Sequence, residues 1–494
     1  MNTLSKKISL CTLALFMILS MVSCLGKDTE SASDTTNEAT QREDSSFELD
    51  NIPDEIDYDG AVVKVLYDAA RTDEFDPSSS GSAVDASIVS RNFMVEERLG
   101  VYLQFVPTLG GYNNGGLSPL KQTLDNDIMS AGEYDICADY AMTIGSCVVS
   151  GNCVDLMQHS ILDFDAPWWS SGLKNATIGN RLYFGTGDIS TSYISTMFCM
   201  FYNSQLVTDL NLEDPNTMVK LDNWKWEYFI EYCTDIYVDL DNVDGKTAGD
   251  RYAISAAPLY GEAIFYSGGS QYLELNSDGA LTLAESLSNN RATDFYDQME
   301  SFLNGSEDVY VDNDTENLHQ VFENGRSVFT IAQLNYAAEL SSTEIEYGIL
   351  PLPKYDDNQD YRSVCWVGRT LYFISKGSDA AEMAATTMEC MASEGYRRVT
   401  PILYEEVYKL RYSKDAISGQ MLDIIRNSIV FDLAQVFTYS FENQLPTRMS
   451  RSLVFGSAAG YSENAMWNIS TAMGTYRGAL DAAVAEIVGA YAKS

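Results

Sequence analysis

Histidine is nearly absent: His159 and His319 are the only two in 494 residues. A His-rich metal site is thereby excluded, and a mechanism that needs an imidazole base has two candidates at most. Nine cysteines occur without a Cys-x-x-Cys pair, which argues against structural zinc. Positive charge is scarce too. Against 71 Asp+Glu stand 31 Lys+Arg, a formal −40, and a surface that acidic repels phosphate backbones, so nucleic acid is disfavoured as a partner. Catalytic signatures are missing: there is no Gly-x-Ser-x-Gly elbow and no His-Glu-x-x-His helix. Gly245-Lys246-Thr247 lacks the cradle of a phosphate loop, since Leu240 stands where its first glycine belongs, and Gly185-x-Gly187 meets Ser190 in place of a third glycine. Asp239-x-Asp241 with Asp244-Gly245 and Asp250 resembles a calcium loop, but one extra residue puts it out of phase, which favours a solvated turn over a metal site. Carboxylates are so numerous that counting alone leaves a glycosidase pair open.

Hydrophobic residues at 45% and charged residues at 21% describe an ordinary folded chain, long enough for about two to four domains of roughly 100 to 200 residues. Its wealth is aromatic: 31 Tyr, 20 Phe and 6 Trp. Such residues are core material first, and they also suit a cleft that stacks flat apolar faces.

At the start, Lys6 and Lys7 precede an apolar stretch over residues 8–21, followed by Val22-Ser23-Cys24. The stretch is short for a membrane span of about 20 residues and reads as an export signal. It resembles the bacterial lipoprotein signal, residues 1–23 here, in which the following cysteine, Cys24, is lipidated and becomes the mature N-terminus. The alternative is a plain secreted chain cut near Ser23. Residues 24–57 are rich in Asp, Glu, Ser and Thr with almost nothing to bury, and read as a flexible acidic tether with a reach of roughly 30 Å. No later segment offers about 18 uninterrupted apolar residues, so the body from Tyr58 onward is expected to be water-soluble and outside the cytoplasm. Its seven cysteines are an odd number, so at least one stays free or pairs between chains. A Cys147–Cys153 bridge is one reading, and burial as small apolar residues is the favoured fate for most.

The body alternates strands and helices. Residues 62–67 are β-branched and apolar, Val84, Ile88, Val95 and Leu99 recur at helical spacing up to Gly100, and Val101, Leu103 and Phe105 alternate. That is strand, helix, strand, the pattern of a parallel-sheet crossover. A second helix holds Leu117, Leu120, Leu124 and Ile128, and residues 134–138 form the next buried strand. Ligands of open α/β sheets bind beyond the carboxyl ends of such strands, where Asp139 and Tyr140 stand.

Midway, Phe201-Tyr202-Asn203-Ser204-Gln205-Leu206, then Leu212-Glu213-Asp214-Pro215, then Trp224-Lys225-Trp226-Glu227-Tyr228-Phe229 resemble a block of bacterial extracellular solute-binding proteins of ABC importers. Read from the residues, Trp226, Phe229, Ile230 and Cys233 share one helical face, so that part is core. Phe322-Glu323-Asn324-Gly325-Arg326-Ser327-Val328-Phe329 and Tyr347-Gly348-Ile349-Leu350-Pro351-Leu352-Pro353-Lys354 are similar to later blocks of that family, as are residues 364–374 and 421–433, in the same order. The resemblance covers residues 58–494. It implies an α/β, two-lobed periplasmic-binding-protein-like fold with crossing hinge strands, closing on a ligand by hinge motion. The crossings would fall at residues 197–201, at 364–369 and near Tyr412. One lobe would hold residues 58–198 and 367–412, the other 199–366 and 413–494.

A neutral, hydroxyl-rich ligand needs flat apolar faces and carboxylates or amides that take pairs of hydroxyls. Trp168 and Trp169 follow Ala166-Pro167 in a polar loop, off any periodic core face. Trp366 stands at an implied crossing, and Asp188 and Tyr193 follow a glycine-flanked approach to the first one. Arg369 could clamp a carboxylate or phosphate, or pair with one of the many surface acids. These eight residues, Asp139 and Tyr140 included, are the candidate ligand contacts; no catalytic or metal-binding residue and no cofactor is expected. The resemblance implies a monomeric, lipid-anchored receptor on the outer face of the cytoplasmic membrane, which captures a carbohydrate and delivers it to ABC permease subunits. A surface polysaccharide hydrolase, or a receptor for a peptide or other non-sugar solute, is the alternative.

Overall fold

Ala-Val-Val-Lys-Val-Leu-Tyr-Asp packs β-branched residues too densely for a comfortable helix. In the computed structural model, which describes residues 48–77, 81–111, 118–130, 132–412 and 416–493, this run is strand β1 (Ala61–Asp68), buried on both faces over its last four residues. Helix α1 (Ala83–Leu99) begins where the Ser82 hydroxyl accepts from Asp85 N and ends at Gly100, whose φ of +60° is strained for any residue with a Cβ. β2 (Val101–Thr108) then pairs in parallel with β1, Ala61 opposite Val101 and Asp68 opposite Thr108. Helix α2 (Pro119–Ile128), with Ser118 as its cap and proline in its first turn, leads to β3 (Ile136–Tyr140), parallel to β1 on its other side. Helix α3 (Ala141–Val149) follows directly.

The chain next enters a second sheet through β4 (Phe198–Asn203), buried throughout. Helix α4 (Trp226–Tyr232), β5 (Tyr252–Ala256), helix α5 (Gly261–Ser267), β6 (Val309–Val311), β7 (Ser327–Gln333) and β8 (Tyr347–Leu350) complete it, in the order β8-β4-β7-β5-β6. Both tryptophans of Trp-x-Trp are core, Trp226 on the helical face it shares with Phe229 and Trp224 just before the helix: the Trp224 indole donates to Pro351 O (2.8 Å), and that of Trp226 to Ser267 Oγ (3.1 Å). β9 (Thr370–Ile374) returns to the first sheet antiparallel to β3, giving β9-β3-β1-β2, and helix α6 (Ala381–Glu394) packs over it.

Between the sheets, Phe198 N donates to Val364 O (2.9 Å) and Trp366 N to Thr196 O (3.0 Å), while Met197 pairs with Cys365. Ser363 pairs in parallel with Ile429 on its other side. Residues 428–430 are thus a further extended segment beside these two. Residues 401–412 form a π-helix with Tyr404 and Tyr408 buried, so their backbone bonds are spent within the helix. The strand expected over residues 364–374 is interrupted at Trp366-Val367-Gly368-Arg369, a turn closed by Arg369 N on Trp366 O (3.1 Å). Helix α7 (Ala416–Asn427) packs on β8, and the short helix α8 (Leu433–Val436) on α3, so closely that a Cβ on Gly145 would lie 2.1 Å from Val436 O.

The expected tether ends earlier than residue 57. Asp50 accepts from Arg98 Nη1 (2.7 Å), Ser393 Oγ (2.5 Å) and Arg397 Nη2 (3.1 Å), and Ile52 is buried in the core. One carboxylate satisfying two half-buried guanidiniums gives the segment a gain that its composition does not advertise. All seven body cysteines are buried free thiols, Cys147 and Cys153 among them, so the reading that would bridge those two is corrected. Cys24 and residues 24–47 of the tether lie outside the described residues. Among the described residues no helix is long and apolar enough to cross a membrane.

Candidate functional site

β1, β2 and β3 are parallel, so their carboxyl ends open at one edge of the first sheet. Asp68 ends β1. Its Oδ1 accepts from Ala70 N and Gly110 N, each at 3.1 Å, while the buried Oδ2 has no partner. Asp139 sits in β3 and accepts from Gly111 N (2.8 Å) and Tyr140 N (2.7 Å). Burial pushes its pKa up to about 7 against the pull of those N–H groups. A Cβ on Gly110 would lie 2.7 Å from Asp139 Oδ1 and from Asp68 Cβ, so only glycine lets the loop after β2 come this close. Asp139 therefore holds the loop, and Asp68 keeps the unspent oxygen.

Tyr140 is the junction of this edge. Arg71 lies over its ring at 5.0 Å and donates from Nη2 to Gly368 O (2.5 Å), while its Nε makes no hydrogen bond and lies 3.9 Å from Glu74 Oε1, an ion pair. The Trp366 ring meets Tyr140 edge-on, centroids 5.8 Å apart, and stays partly exposed while Cys365 and Val367 are buried. Gly368 gives that ring its place: a Cβ there would stand 2.1 Å from Trp366 Cζ3. The structure thus brings Asp139, Tyr140 and Trp366 together and adds Asp68 and Arg71, which sequence reasoning missed. The available signal was that β1 ends in an aspartate, as β3 carries one in its penultimate position.

The other candidates gather elsewhere. Trp168 and Trp169 are buried, not exposed on a loop, because Glu389 of α6 accepts from both indoles at 2.9 Å. Burial is the largest influence on Glu389 and raises its pKa to about 7, opposed by those two donors. Asp188 accepts from Thr400 Oγ1 (2.9 Å) and Arg426 Nη2 (2.8 Å), and the Tyr193 hydroxyl bonds Ser170 Oγ (3.0 Å). Trp168, Trp169, Asp188 and Tyr193 line a cavity of about 250 Å³ with Arg426 and Lys174. Each of the four engages the protein itself through a polar atom. Arg369 is buried and pairs with no surface acid; Nη1 donates to Cys365 O, Trp366 O and Gln435 Oε1.

Asp239, Asp241 and Asp250 bring carboxylate oxygens within 4.8 Å of one another, without Asp244. Backbone donors already occupy them: Asn242 N on Asp239, Val243 N on Asp241, and Leu240 N and Thr247 N on Asp250. The arrangement is that of a hydrogen-bonded turn.

Among solved structures, the chain is similar to a cyclo/maltodextrin-binding protein complexed with maltotetraose, with TM-score 0.54 and 14% identity over 87% of this chain and 97% of that one. The chain has the two-lobed periplasmic-binding-protein fold. An ABC substrate-binding protein from Listeria monocytogenes in complex with cycloalternan gives TM-score 0.51 at 12% identity, over 84% of this chain and 100% of that one. UspC of M. tuberculosis gives 0.51 at 14%, over 86% and 100%. No protein-family model matches the chain, and no curated protein matches it by sequence.

Proposed function

We propose that the protein is an extracellular solute-binding protein that captures an oligosaccharide between its lobes and delivers it to an ABC permease. The observation that carries this reading is one edge of the first sheet, where the partly exposed Trp366 ring meets Tyr140 beside the Arg71 guanidinium, and Asp68 Oδ2 accepts no hydrogen bond. A sugar presents that combination in mirror image: an apolar C–H face for the ring, and adjacent hydroxyls for an acceptor and a donor. Two proteins of the same fold hold maltotetraose and cycloalternan, which supports a saccharide as the solute. Binding without turnover is the role; active-site-dependent cleavage of a glycan by the purified protein would overturn it.

Anchoring by a lipid on Cys24 and action as a monomer belong to the same proposal. So do lobes of residues 58–198 with 367–412 and of 199–366 with 413–494, with residues 428–430 as a further segment at the hinge. Thermal-shift screening against mono- and oligosaccharides tests it, because a ligand at about 100 times its Kd should add roughly 2.7 kcal/mol to stability. Small-angle scattering with a binding sugar should then show a smaller radius of gyration, as hinge closure requires. No stabilisation by any saccharide would overturn the carbohydrate reading.

A further inference from the structure

Asp188 and Tyr193 meet Arg426 and Ile429 around the cavity of about 250 Å³, whose place in the fold sets it apart from the Trp366 edge. Tyr193 O accepts from Cys365 Sγ (3.2 Å), while the ring of the next residue, Trp366, meets Tyr140. Neighbours on an extended segment point to opposite faces, so the cavity lies across the 363–366 segment from the Trp366 ring. Ile429, in its wall, pairs with Ser363 at the start of that segment.

Asp188 is 4% exposed, and both of its bonds, from Thr400 Oγ1 (2.9 Å) and Arg426 Nη2 (2.8 Å), fall on Oδ1. Oδ2 accepts from no group among the described residues and is not sealed in; it opens on the cavity. Arg426 likewise donates only from Nη2 among the described residues, and its side chain is 25% exposed, with the Tyr404 ring 4.9 Å from the guanidinium. An unbonded carboxylate oxygen thus stands beside unbonded guanidinium donors. Adjacent hydroxyls use that combination, one donating to the acid and the next accepting from the base. Full charges fit it less well. Asp188 neutralises Arg426, and at the rim Asp165 neutralises Lys174 (2.8 Å), so an entering ion would lose its water and meet a like charge beside each opposite one. Pockets for drug-sized ligands run from about 300 to 1,000 Å³, so this smaller one suits a single ring. Pro167 and Ile429 offer apolar surface to its C–H groups.

We propose that this cavity is a second ligand site, which takes one neutral polyhydroxylated ring, a monosaccharide or a cyclitol, with adjacent hydroxyls on Asp188 Oδ2 and the Arg426 guanidinium. The site goes beyond the oligosaccharide reading at Trp366, and either can fail alone.

Calorimetric titration of the purified protein with glucose, galactose, mannose and myo-inositol, beside glycine betaine and inorganic phosphate, tests the proposal. At least one neutral ring should bind saturably and tighter than either charged probe. Arg426→Gln should weaken that binding about tenfold or more, and Trp366→Ala by less than about twofold, because its ring faces the other side. Where Arg426→Gln does not fold, Ser171→Trp decides: Ser171 is exposed at the cavity, and the added bulk should abolish binding. An equal loss in Trp366→Ala would put the ring at the sheet edge and overturn the second site. Tighter binding of betaine or phosphate would overturn the neutral class. Saturable binding of none of the four rings would overturn the site and leave the oligosaccharide reading standing.

Discussion

Replacing Trp366 by alanine separates a ligand platform from a packing residue. A fully buried tryptophan costs about 3–5 kcal/mol when truncated. Trp366 is only partly covered: it meets Tyr140 edge-on at 5.8 Å and lies against Gly368, while its backbone N is held by Thr196 O. An aromatic pair contributes about 0.5–1.5 kcal/mol, so with the covered ring area a stability loss of about 1–2 kcal/mol is expected. On the proposed binding role, affinity resides on the part of the ring left exposed. If a sugar covers about 50–100 Å² of it, about 25 cal/mol per Å² gives ~1–2.5 kcal/mol, an affinity loss of about tenfold or more. Gly368→Ala is the companion variant. Its Cβ would stand 2.1 Å from the ring, which must then swing away, so affinity should fall with the platform still present. Urea unfolding and sugar titration on the same preparations give both numbers. A stability loss of 3–5 kcal/mol with unchanged affinity would refute the reasoning and make Trp366 a core residue.

At the N-terminal end of the described body, a chain starting at Tyr58 should be less stable than one starting at Glu48 by about 2 kcal/mol or more. The Arg98, Ser393 and Arg397 bonds hold the Asp50 carboxyl at about 2 against 3.8 in the open, despite its burial, and Ile52 leaves the core as well. Equal urea midpoints would refute this. Burial raises Glu389 and Asp139 to about 7, so the folded chain holds protons that the unfolded chain has released above about pH 4.5. Stability should therefore decline as pH rises from about 4.5 to about 7, less steeply in Glu389→Gln; a flat or rising profile in urea unfolding at stepped pH would count against it. Cys24→Ala should release the protein from membranes into the medium, and unchanged retention on fractionation would sink the lipid anchor.

Local pattern was enough for much of the fold. β1, α1 and β2 stand where β-branched runs, a helical repeat and a stop glycine put them, because each is decided by neighbours within a few residues. Elements decided by distant partners were less legible. Residues 50–52 look like tether by composition, yet Asp50 meets Arg397 almost 350 positions later. The extended segment at residues 428–430 was not foreseen, because its pairing with Ser363 is a tertiary choice that periodicity does not record.

The site divides along the same line. Asp139 and Tyr140 follow from a general property of parallel sheets, and Trp366 from its place in a family-like block, so both could be named in advance. Trp168 and Trp169 looked free because their flanks are polar, and the acid that takes both indoles, Glu389, is some 220 residues away. Arg369 is the sharper case. In a chain with 71 acids, the average environment of an arginine predicts a carboxylate partner, and composition supplies only averages. What distinguishes Arg369 is a burial that leaves it without a carboxylate partner among the described residues, held instead by Cys365 O, Trp366 O and Gln435 Oε1 and by the Phe431 ring, partners that come together only in the folded chain.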